Sequence, residues 1–324
     1  MSKRYLILTE YQPQTLTLAQ LSSAEGDLLW RRYGQQISVD FPSPKTGNQW
    51  QLTPQGWVGH IPLTAEVHLS LRPKVPLRNL FLMLAYAYDL HSFRFLDGLT
   101  ETQTLEGFYD RLAAVLAERV LRRSRQGVYR AYQAKQERLQ AVRGRLNLER
   151  IAQRPGEVAL ECDFTEQTAD VPHNQILAVT LRLIGRSGLA RPETQTLVRR
   201  AYHSLPPLTE RERPFSGRDL DGLHYDRLNQ DYRALHALCR FFLDYSGPTH
   251  EAGDQTTLPF LVNMNQLFEK FVAAWLQKHL PADYRLKVQE DLTVGETGQL
   301  RVNPDLVIYG RDQRPLFVLD TKYK

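Results

Sequence analysis

The chain has 324 residues, of which 42% are hydrophobic and 24% charged, with 41 lysines and arginines against 36 aspartates and glutamates. These proportions are those of an ordinary globular protein, and they exclude a disordered or fibrous chain. The length is enough for two or three domains with at least one sizeable core.

The sequence has no segment typical of membrane or secreted proteins. Its longest dense apolar run, residues 80–88, is about half of the roughly 20 residues that a membrane helix needs. The first residues lack the hydrophobic stretch and cleavage site of a signal peptide. Cys162 and Cys239 form no CxxC pair, which excludes a disulfide framework and a thiolate zinc site. We therefore expect a cytoplasmic protein with no membrane contact.

The positive charge is concentrated in one segment. Residues 111–154 contain twelve basic and three acidic residues, so this segment carries +9 and the rest of the chain −4. Such a run can follow a DNA backbone. Its candidate DNA contacts are Arg122, Arg123, Arg125, Arg143 and Arg145. A solvated or partner-facing surface is the alternative, because charge runs often serve as one.

Residues 1–75 are predicted to form a small β-rich domain. Alternating or β-branched runs separated by turn residues predict four strands. They are residues 5–9, 36–41, 57–61 and 66–71. Residues 42–56 are polar and rich in turn residues, which is compatible with a projecting loop as well as with part of a core.

Residues 76–255 are predicted to be mainly helical, because apolar residues recur there at three- and four-residue spacing. The predicted helices are residues 79–90, 106–125, 174–185, 193–203 and 227–245. The stretch 129–148 ends in a tail that alternates like a strand, so the region is not purely helical.

Residues 256–324 are predicted to form a C-terminal α/β domain in the order helix, strand, hairpin. The helix spans residues 263–280, and strand-like runs follow. These runs are residues 284–288, 301–309 and 316–323, the last two joined by a six-residue turn. The whole chain is thus predicted to be an α+β multidomain protein with a β-rich N-terminal domain and a mostly helical middle.

Two carboxylates and a lysine are predicted to meet in the last domain. Strand alternation places Asp320 and Lys322 on one face, and the turn folds the preceding strand back so that Asp305 approaches Asp320. Oxygen ligands of this kind suit Mg²⁺, with Mn²⁺ as a second candidate, and the set favours metal-dependent phosphodiester hydrolysis. Asp305 and Asp320 would bind the metal and Lys322 would orient the attacking water. Glu269, on the preceding helix, is a candidate fourth member.

A surface hairpin with a salt-bridged Asp–Lys pair is the structural alternative to this site. Against it, the pattern of Pro304-Asp305, fourteen intervening residues and Asp320-Thr321-Lys322 resembles the PD-(D/E)xK nuclease signature. The usual order of a helix with a glutamate, a strand and a hairpin is also present. Because such domains normally continue with a helix and another strand, the resemblance implies a nuclease domain that is incomplete at residue 324.

Further segments resemble the McrC subunit of McrBC modification-dependent restriction systems. They are VGHIPL (58–63), LRPKV (71–75), NLFLMLAYA (79–87), RGRL (143–146), residues 163–174, Leu228-Asn229 with Tyr232, and LFEKFV (267–272). The resemblance runs from about residue 58 to the end of the chain. It is jointly far more specific than the nuclease motif.

The resemblance implies one half of a two-part machine for phage defence. McrC-like proteins bind a hexameric AAA+ GTPase, McrB, and stimulate its GTP hydrolysis through their N-terminal region. They cut double-stranded DNA with their C-terminal domain, while McrB recognises the modified cytosine, such as 5-methylcytosine. The sequence has no GxxxxGK[ST] loop, so we expect this chain itself to bind no nucleotide.

The sequence leaves two points open. The element that such proteins insert into the GTPase pore is placed at residues 42–56, although the first forty residues carry no match to the family. The function also has two alternatives: a non-catalytic subunit that assembles with the GTPase and stimulates it, or a stand-alone PD-(D/E)xK repair nuclease.

Overall fold

The structure is a computed structural model that describes residues 4–90, 104–153, 158–209, 215–245, 259–294 and 300–323. The chain is a mixed α/β protein with several sheets, in the predicted order of a β-rich start, a helical middle and a final helix with strands. The predicted domain boundary between residues 255 and 256 lies outside the described residues. Within the described ranges, no helix has both the length and the apolar character that crossing a membrane requires.

The N-terminal region contains the four predicted strands and two more. The strands are β1 (Arg4–Thr9), β2 (Gln14–Leu16), β3 (Ile37–Asp40), β4 (Trp50–Pro54), β5 (Trp57–Pro62) and β6 (Val67–Arg72). Helix α1 (Ser23–Tyr33) was missed by the strand-based prediction. It begins after Ser22, which forms a capping box with Glu25, and it buries only Gly26 and Leu29, so its apolar periodicity is weak.

Of the two interpretations of residues 42–56, the projecting loop is wrong for residues 50–54. Residues 50–54 form β4, which lies between β2 and β3 in a three-stranded sheet. Trp50 and Leu52 are buried in the N-terminal core. The segment is polar overall because alternate residues of a half-buried strand face solvent.

A four-stranded sheet separates two hydrophobic cores. Its order is β1-β6-β5-β10, and β10 (Phe260–Asn263) comes from the far end of the chain to pair with β5. Leu261 packs into the N-terminal core, whereas Phe260 and Val262 pack into the helical core. Because successive strand residues face opposite sides, this one strand contributes to both cores.

The middle region is mainly helical, as predicted. Its helices are α2 (Leu77–Ala87), α3 (Leu105–Gln126), α4 (Leu148–Ala152), α5 (Pro172–Ser187), α6 (Pro192–His203) and α7 (Tyr232–Tyr245). Aromatic rings fill their shared core: Phe81 stacks on Phe108 at 4.2 Å between ring centroids, and Tyr109 contacts Phe242 edge-on at 5.0 Å.

The middle region also contains a three-stranded antiparallel sheet, so the prediction that it is not purely helical is confirmed. The sheet has the order β7-β9-β8. Its strands are β7 (Ala131–Leu139), β8 (Arg145–Leu146) and β9 (Leu160–Thr168). The strand-like tail of residues 129–148 is the source of β8.

The C-terminal part begins with α8 (Met264–His279), whose first turn is capped by the side chain of Asn263. The strands that follow are β11 (Arg285–Val288), β12 (Leu292–Val294), β13 (Leu300–Val302), β14 (Leu306–Tyr309) and β15 (Pro315–Leu319). β11, β14 and β15 form one antiparallel sheet, and β12 pairs with β13.

Two predicted strands of this part are shorter than expected. The run 301–309 is divided into β13 and β14 around Pro304, which has no N–H to donate to a ladder. The run 316–323 ends as a strand at Leu319, so the residues of the DxK motif follow β15 rather than belong to it.

Candidate active site

Three polar residues lie in a row at one end of the C-terminal sheet. Val288 of β11 pairs with Leu306 of β14, and Leu306 pairs with Leu319 of β15. The residues next to these pairs are Gln289, Asp305 and Asp320. The backbone N–H of Gln289 donates to the carbonyl oxygen of Asp305 at 2.9 Å, which extends the ladder to this row. The strand register alone therefore brings the two predicted carboxylates together.

Asp305 is held as a hydrogen-bond acceptor by the residue that follows Asp320. The backbone N–H of Thr321 donates to Oδ2 of Asp305 at 2.6 Å, and the Thr321 hydroxyl donates to the same oxygen at 2.8 Å. The backbone hydrogen bond from Thr321 is the main cause that lowers the pKa of Asp305, and the hydrogen bond from the Thr321 side chain adds to it. Asp305 is thus ionised at neutral pH.

The side chains of the DxK motif alternate although its residues are not in a strand. Asp320 and Lys322 are exposed, whereas Thr321 is half-buried and Tyr323 is buried. This is the arrangement that the sequence pattern predicts for an extended chain. The acid and the lysine therefore face solvent, and their neighbours attach the segment to the protein.

Glu269 is linked to the acidic pair through Gln289. Its carboxylate accepts a hydrogen bond of 2.7 Å from Nε2 of Gln289, whose backbone N–H in turn binds Asp305. Gln289 has a φ of 50°, in the left-handed region that non-glycine residues seldom adopt. Sequence reasoning missed Gln289, and its position directly after the predicted strand 284–288 was the one signal available.

The donor set of this site fits a magnesium ion. The described residues contain no group of three or more His, Cys, Asp or Glu side chains that could hold a metal ion. Mg²⁺ does not require one, because it commonly binds through one or two carboxylates and keeps several of its waters. Asp305 and Asp320 provide two carboxylates at the ends of adjacent strands, one of them with a lowered pKa.

Two of the candidate DNA-binding arginines are engaged within the protein. Nε of Arg123 lies 2.8 Å from a carboxylate oxygen of Asp231, and its guanidinium stacks 5.2 Å from the ring centroid of Tyr232. The guanidinium of Arg143 lies 3.2 Å from Glu166 and 4.1 Å from the ring centroid of Phe164. Both side chains serve local packing.

The other three candidates, Arg122, Arg125 and Arg145, are exposed and have no ion pair with any described residue. An acidic side chain of β9 neutralises part of the positive charge of the basic run, since Lys135 pairs with Glu166 at 2.6 Å. Arg154, at the end of the run, lies outside the described residues. Among the five candidates, the exposed arginines at the end of α3 and on β8 are the ones whose charge no described acidic side chain offsets.

A family model described as McrBC 5-methylcytosine restriction system component matches residues 52–324. The chain belongs to this family. The resemblance that the sequence motifs indicated is confirmed at this level, and the chain is a component of an McrBC-type restriction system.

The McrBC relatives agree with this assignment. The chain is 23% identical over 271 residues to the type IV methyl-directed restriction enzyme EcoKMcrBC of Escherichia coli strain K12, which covers 78% of this chain and 74% of that protein. A chain in the cryo-EM structure of the Thermococcus gammatolerans McrBC complex superimposes with a TM-score of 0.54 at 18% identity, covering 86% of this chain and 88% of that chain.

A second structure gives the same result. It is a half-complex from the tetradecameric assembly of Thermococcus gammatolerans McrB AAA+ hexamers with bound McrC, and one of its chains matches with a TM-score of 0.54 at 17% identity. The match covers 99% of this chain and 80% of that chain. At these identities the likeness shows a shared McrBC fold.

Proposed function

We propose that this chain is the McrC-type endonuclease subunit of its restriction system and cuts DNA that carries modified cytosine by Mg²⁺-dependent phosphodiester hydrolysis. Its C-terminal part would be the PD-(D/E)xK nuclease domain. The observation that carries the proposal is the placement of Asp305 and Asp320 next to the paired strand residues Leu306 and Leu319, with Lys322 two residues further along.

Each residue of the site has a defined role in this proposal. Asp305 and Asp320 would hold the metal ion, which would polarise the phosphate and lower the pKa of a bound water. Thr321 keeps Asp305 ionised and oriented through its two hydrogen bonds. Lys322 is exposed beside the acids, where its ammonium orients the attacking water and offsets negative charge on the phosphate. Glu269 fixes Gln289 and, through it, the end of β14.

The proposed partner is a hexameric, McrB-like AAA+ GTPase, which this chain binds and stimulates through its N-terminal region. The Thermococcus gammatolerans assembly, in which McrB hexamers have bound McrC, supports this partnership. The sequence of this chain has no nucleotide-binding GxxxxGK[ST] loop, so GTP hydrolysis is assigned to the partner.

A second candidate is a subunit that stimulates the GTPase without cutting DNA. The observation in its favour concerns Glu269, whose carboxylate is hydrogen-bonded to Gln289. The described residues therefore present a pair of acids rather than a triad at the sheet end. Both candidates predict GTPase stimulation, and only the first predicts that Asp320 is needed for cleavage.

The test is a reconstitution with the cognate AAA+ GTPase, Mg²⁺, GTP and DNA containing 5-methylcytosine. Asp320→Asn is expected to reduce cleavage by at least a hundredfold and to leave the stimulation of GTP hydrolysis within twofold of the unsubstituted chain. The matched control is Asp283→Asn, because Asp283 is also an exposed aspartate of this part of the chain and pairs with Arg311 away from the site.

The outcomes separate the candidates. Cleavage that is lost with Asp320→Asn and kept with Asp283→Asn supports the nuclease. Stimulated GTP hydrolysis without cleavage by the unsubstituted complex supports the non-catalytic subunit. Absence of both stimulation and co-purification, with both proteins folded, contradicts the partnership itself.

A further inference from the structure

A buried carboxylate of the N-terminal region contacts the end of the DxK motif. Glu10, which directly follows β1, is 1% exposed. Its Oε2 accepts a hydrogen bond of 3.0 Å from the hydroxyl of Tyr323 and one of 3.3 Å from the backbone N–H of Lys74. The ammonium of Lys74 lies 4.2 Å from the ring centroid of Tyr323 and 4.6 Å from that of Tyr11. We call the first of these hydrogen bonds the Glu10–Tyr323 contact.

Glu10 is an unusual buried acid, because only one of its two carboxylate oxygens has a hydrogen-bond partner among the described residues. Oε1 of Glu10 is buried and has no hydrogen-bond partner in the part of the chain that the structure describes. Burial raises the pKa of Glu10 in spite of the hydrogen bonds from Lys74 and Tyr323. A buried polar group that costs stability calls for a specific explanation. Core packing does not supply one, since an apolar side chain would fill the same space at lower cost.

The contact bears directly on Lys322. β15 ends at Leu319, so no strand ladder among the described residues holds the three residues of the segment 321–323. Thr321 is bound to Asp305 at one end, and Tyr323 is bound to Glu10 at the other, with its ring 6.0 Å from that of Phe268 on α8. Lys322 lies between these two attachment points.

We propose that Glu10 is a positioning residue: through the hydroxyl of Tyr323 it fixes where the backbone of Lys322 lies relative to Asp305 and Asp320. The N-terminal region thereby completes the nuclease motif of the C-terminal part. This inference rests on the proposed nuclease function. Glu10 acts only through Tyr323 and contacts neither DNA nor metal.

The test uses the full chain reconstituted with its GTPase, Mg²⁺ and methylated DNA. Tyr323→Phe removes the hydroxyl and keeps the ring on Phe268 and Lys74. It is expected to lower the kcat of cleavage about tenfold, with the KM for DNA and the stimulation of GTP hydrolysis unchanged. Because the buried Glu10 also loses a hydrogen bond, the melting temperature is expected to fall, and cleavage is measured well below it. The matched control is Tyr88→Phe, since the Tyr88 hydroxyl also donates to a carboxylate, Asp244 at 2.9 Å, in the helical middle region.

Substitutions of Glu10 test the same link from the other side. Glu10→Ala is expected to lower kcat as much as Tyr323→Phe, whereas Glu10→Gln, which keeps an acceptor oxygen, lowers it less than threefold. If both changes act through one contact, Tyr323→Phe adds nothing in the Glu10→Ala background.

The proposal is overturned if Tyr323→Phe cleaves at the unsubstituted rate. It is also overturned if kcat, KM and GTPase stimulation change together, because that pattern indicates a general structural role. Failure of the proposed function is recognised separately, since the unsubstituted complex then cuts no DNA at all.

Discussion

Thr321 connects the two acids of the candidate site at the scale of single residues. Its hydroxyl donates to Asp305 at 2.8 Å, in addition to its backbone N–H. Thr321→Val removes the hydroxyl at nearly constant volume and leaves the backbone bond in place. We expect it to lower the free energy of unfolding at pH 7 by about 1 kcal/mol, since hydrogen bonds to charged groups contribute that or more. Thr321→Ser, which keeps the hydroxyl, is the control.

The sign of the pH dependence follows from the lowered pKa of Asp305. An acid whose pKa is lower in the folded state stabilises the fold above its unfolded pKa, and this contribution is lost as pH falls through the folded pKa. The difference between Thr321→Val and the unsubstituted chain is therefore expected to shrink below about pH 4. Urea unfolding at a series of pH values measures it. A difference that grows on acidification would contradict the role given to Thr321.

Individual elements show why some of the fold was predictable and some was not. Residues 66–71 alternate between polar and apolar side chains and residues 57–61 include β-branched Val58 and Ile61, and β6 and β5 lie there. Strand β4 was missed because its alternation of Trp50, Gln51 and Leu52 is short and lies within a turn-rich segment. The pairing of β10 with β5 was not predictable, because nothing local in residues 260–263 identifies a partner some 200 residues earlier.

The candidate site shows the same division. Asp305 and Asp320 were predictable because strand alternation and a single turn determine their approach. The role of Gln289 and the Glu10–Tyr323 contact depend on how separate segments pack against each other. No periodicity in the sequence indicates such packing.

At the scale of elements, Gly59 is the position on which the β5–β10 pairing depends. Its φ is 142°, and a Cβ there would lie 2.0 Å from the carbonyl oxygen of Phe260. Gly59→Ala therefore combines backbone strain with a clash against the neighbouring strand. We expect it to lower the free energy of unfolding by more than about 2 kcal/mol in urea titrations.

Gly127→Ala separates the effect of backbone strain from the effect of the clash. Gly127 has a φ of 94°, but no atom lies within 4 Å of a Cβ built there. It carries the backbone strain without the clash, so we expect a loss of about 1 kcal/mol. Equal losses at the two positions would show that the close approach of β10 contributes nothing.

The charge distribution of the whole molecule gives a prediction for DNA binding. Arg122 and Arg125 are exposed at the end of α3. If each contacts a phosphate, alanine at either position lowers the slope of log K against log salt by about 0.9 for double-stranded DNA. The control is Arg31→Ala, on α1, whose guanidinium pairs with Asp27. The measurement is binding of the reconstituted complex to methylated DNA over a range of salt concentrations, and an unchanged slope assigns the arginines to another surface.

Strand β10 is expected to join the N-terminal region and the helical core into one cooperative unit. Leu261 packs into the first core, while Phe260 and Val262 pack into the second. Leu261→Ala is expected to destabilise the chain by about 2–5 kcal/mol, the usual range for a buried leucine. Because the strand belongs to both cores, the loss should appear in the unfolding of both.

Two probes follow the two regions separately during urea unfolding. Three of the four tryptophans, Trp30, Trp50 and Trp57, lie in the N-terminal region, so fluorescence reports mainly on that region. Far-UV circular dichroism reports mainly on the helices of the middle. In a single cooperative unit the two transitions coincide, and Leu261→Ala shifts both midpoints equally. Leu18→Ala, at a leucine that is 51% exposed, should shift neither. A shift confined to fluorescence would mean that the N-terminal region unfolds alone.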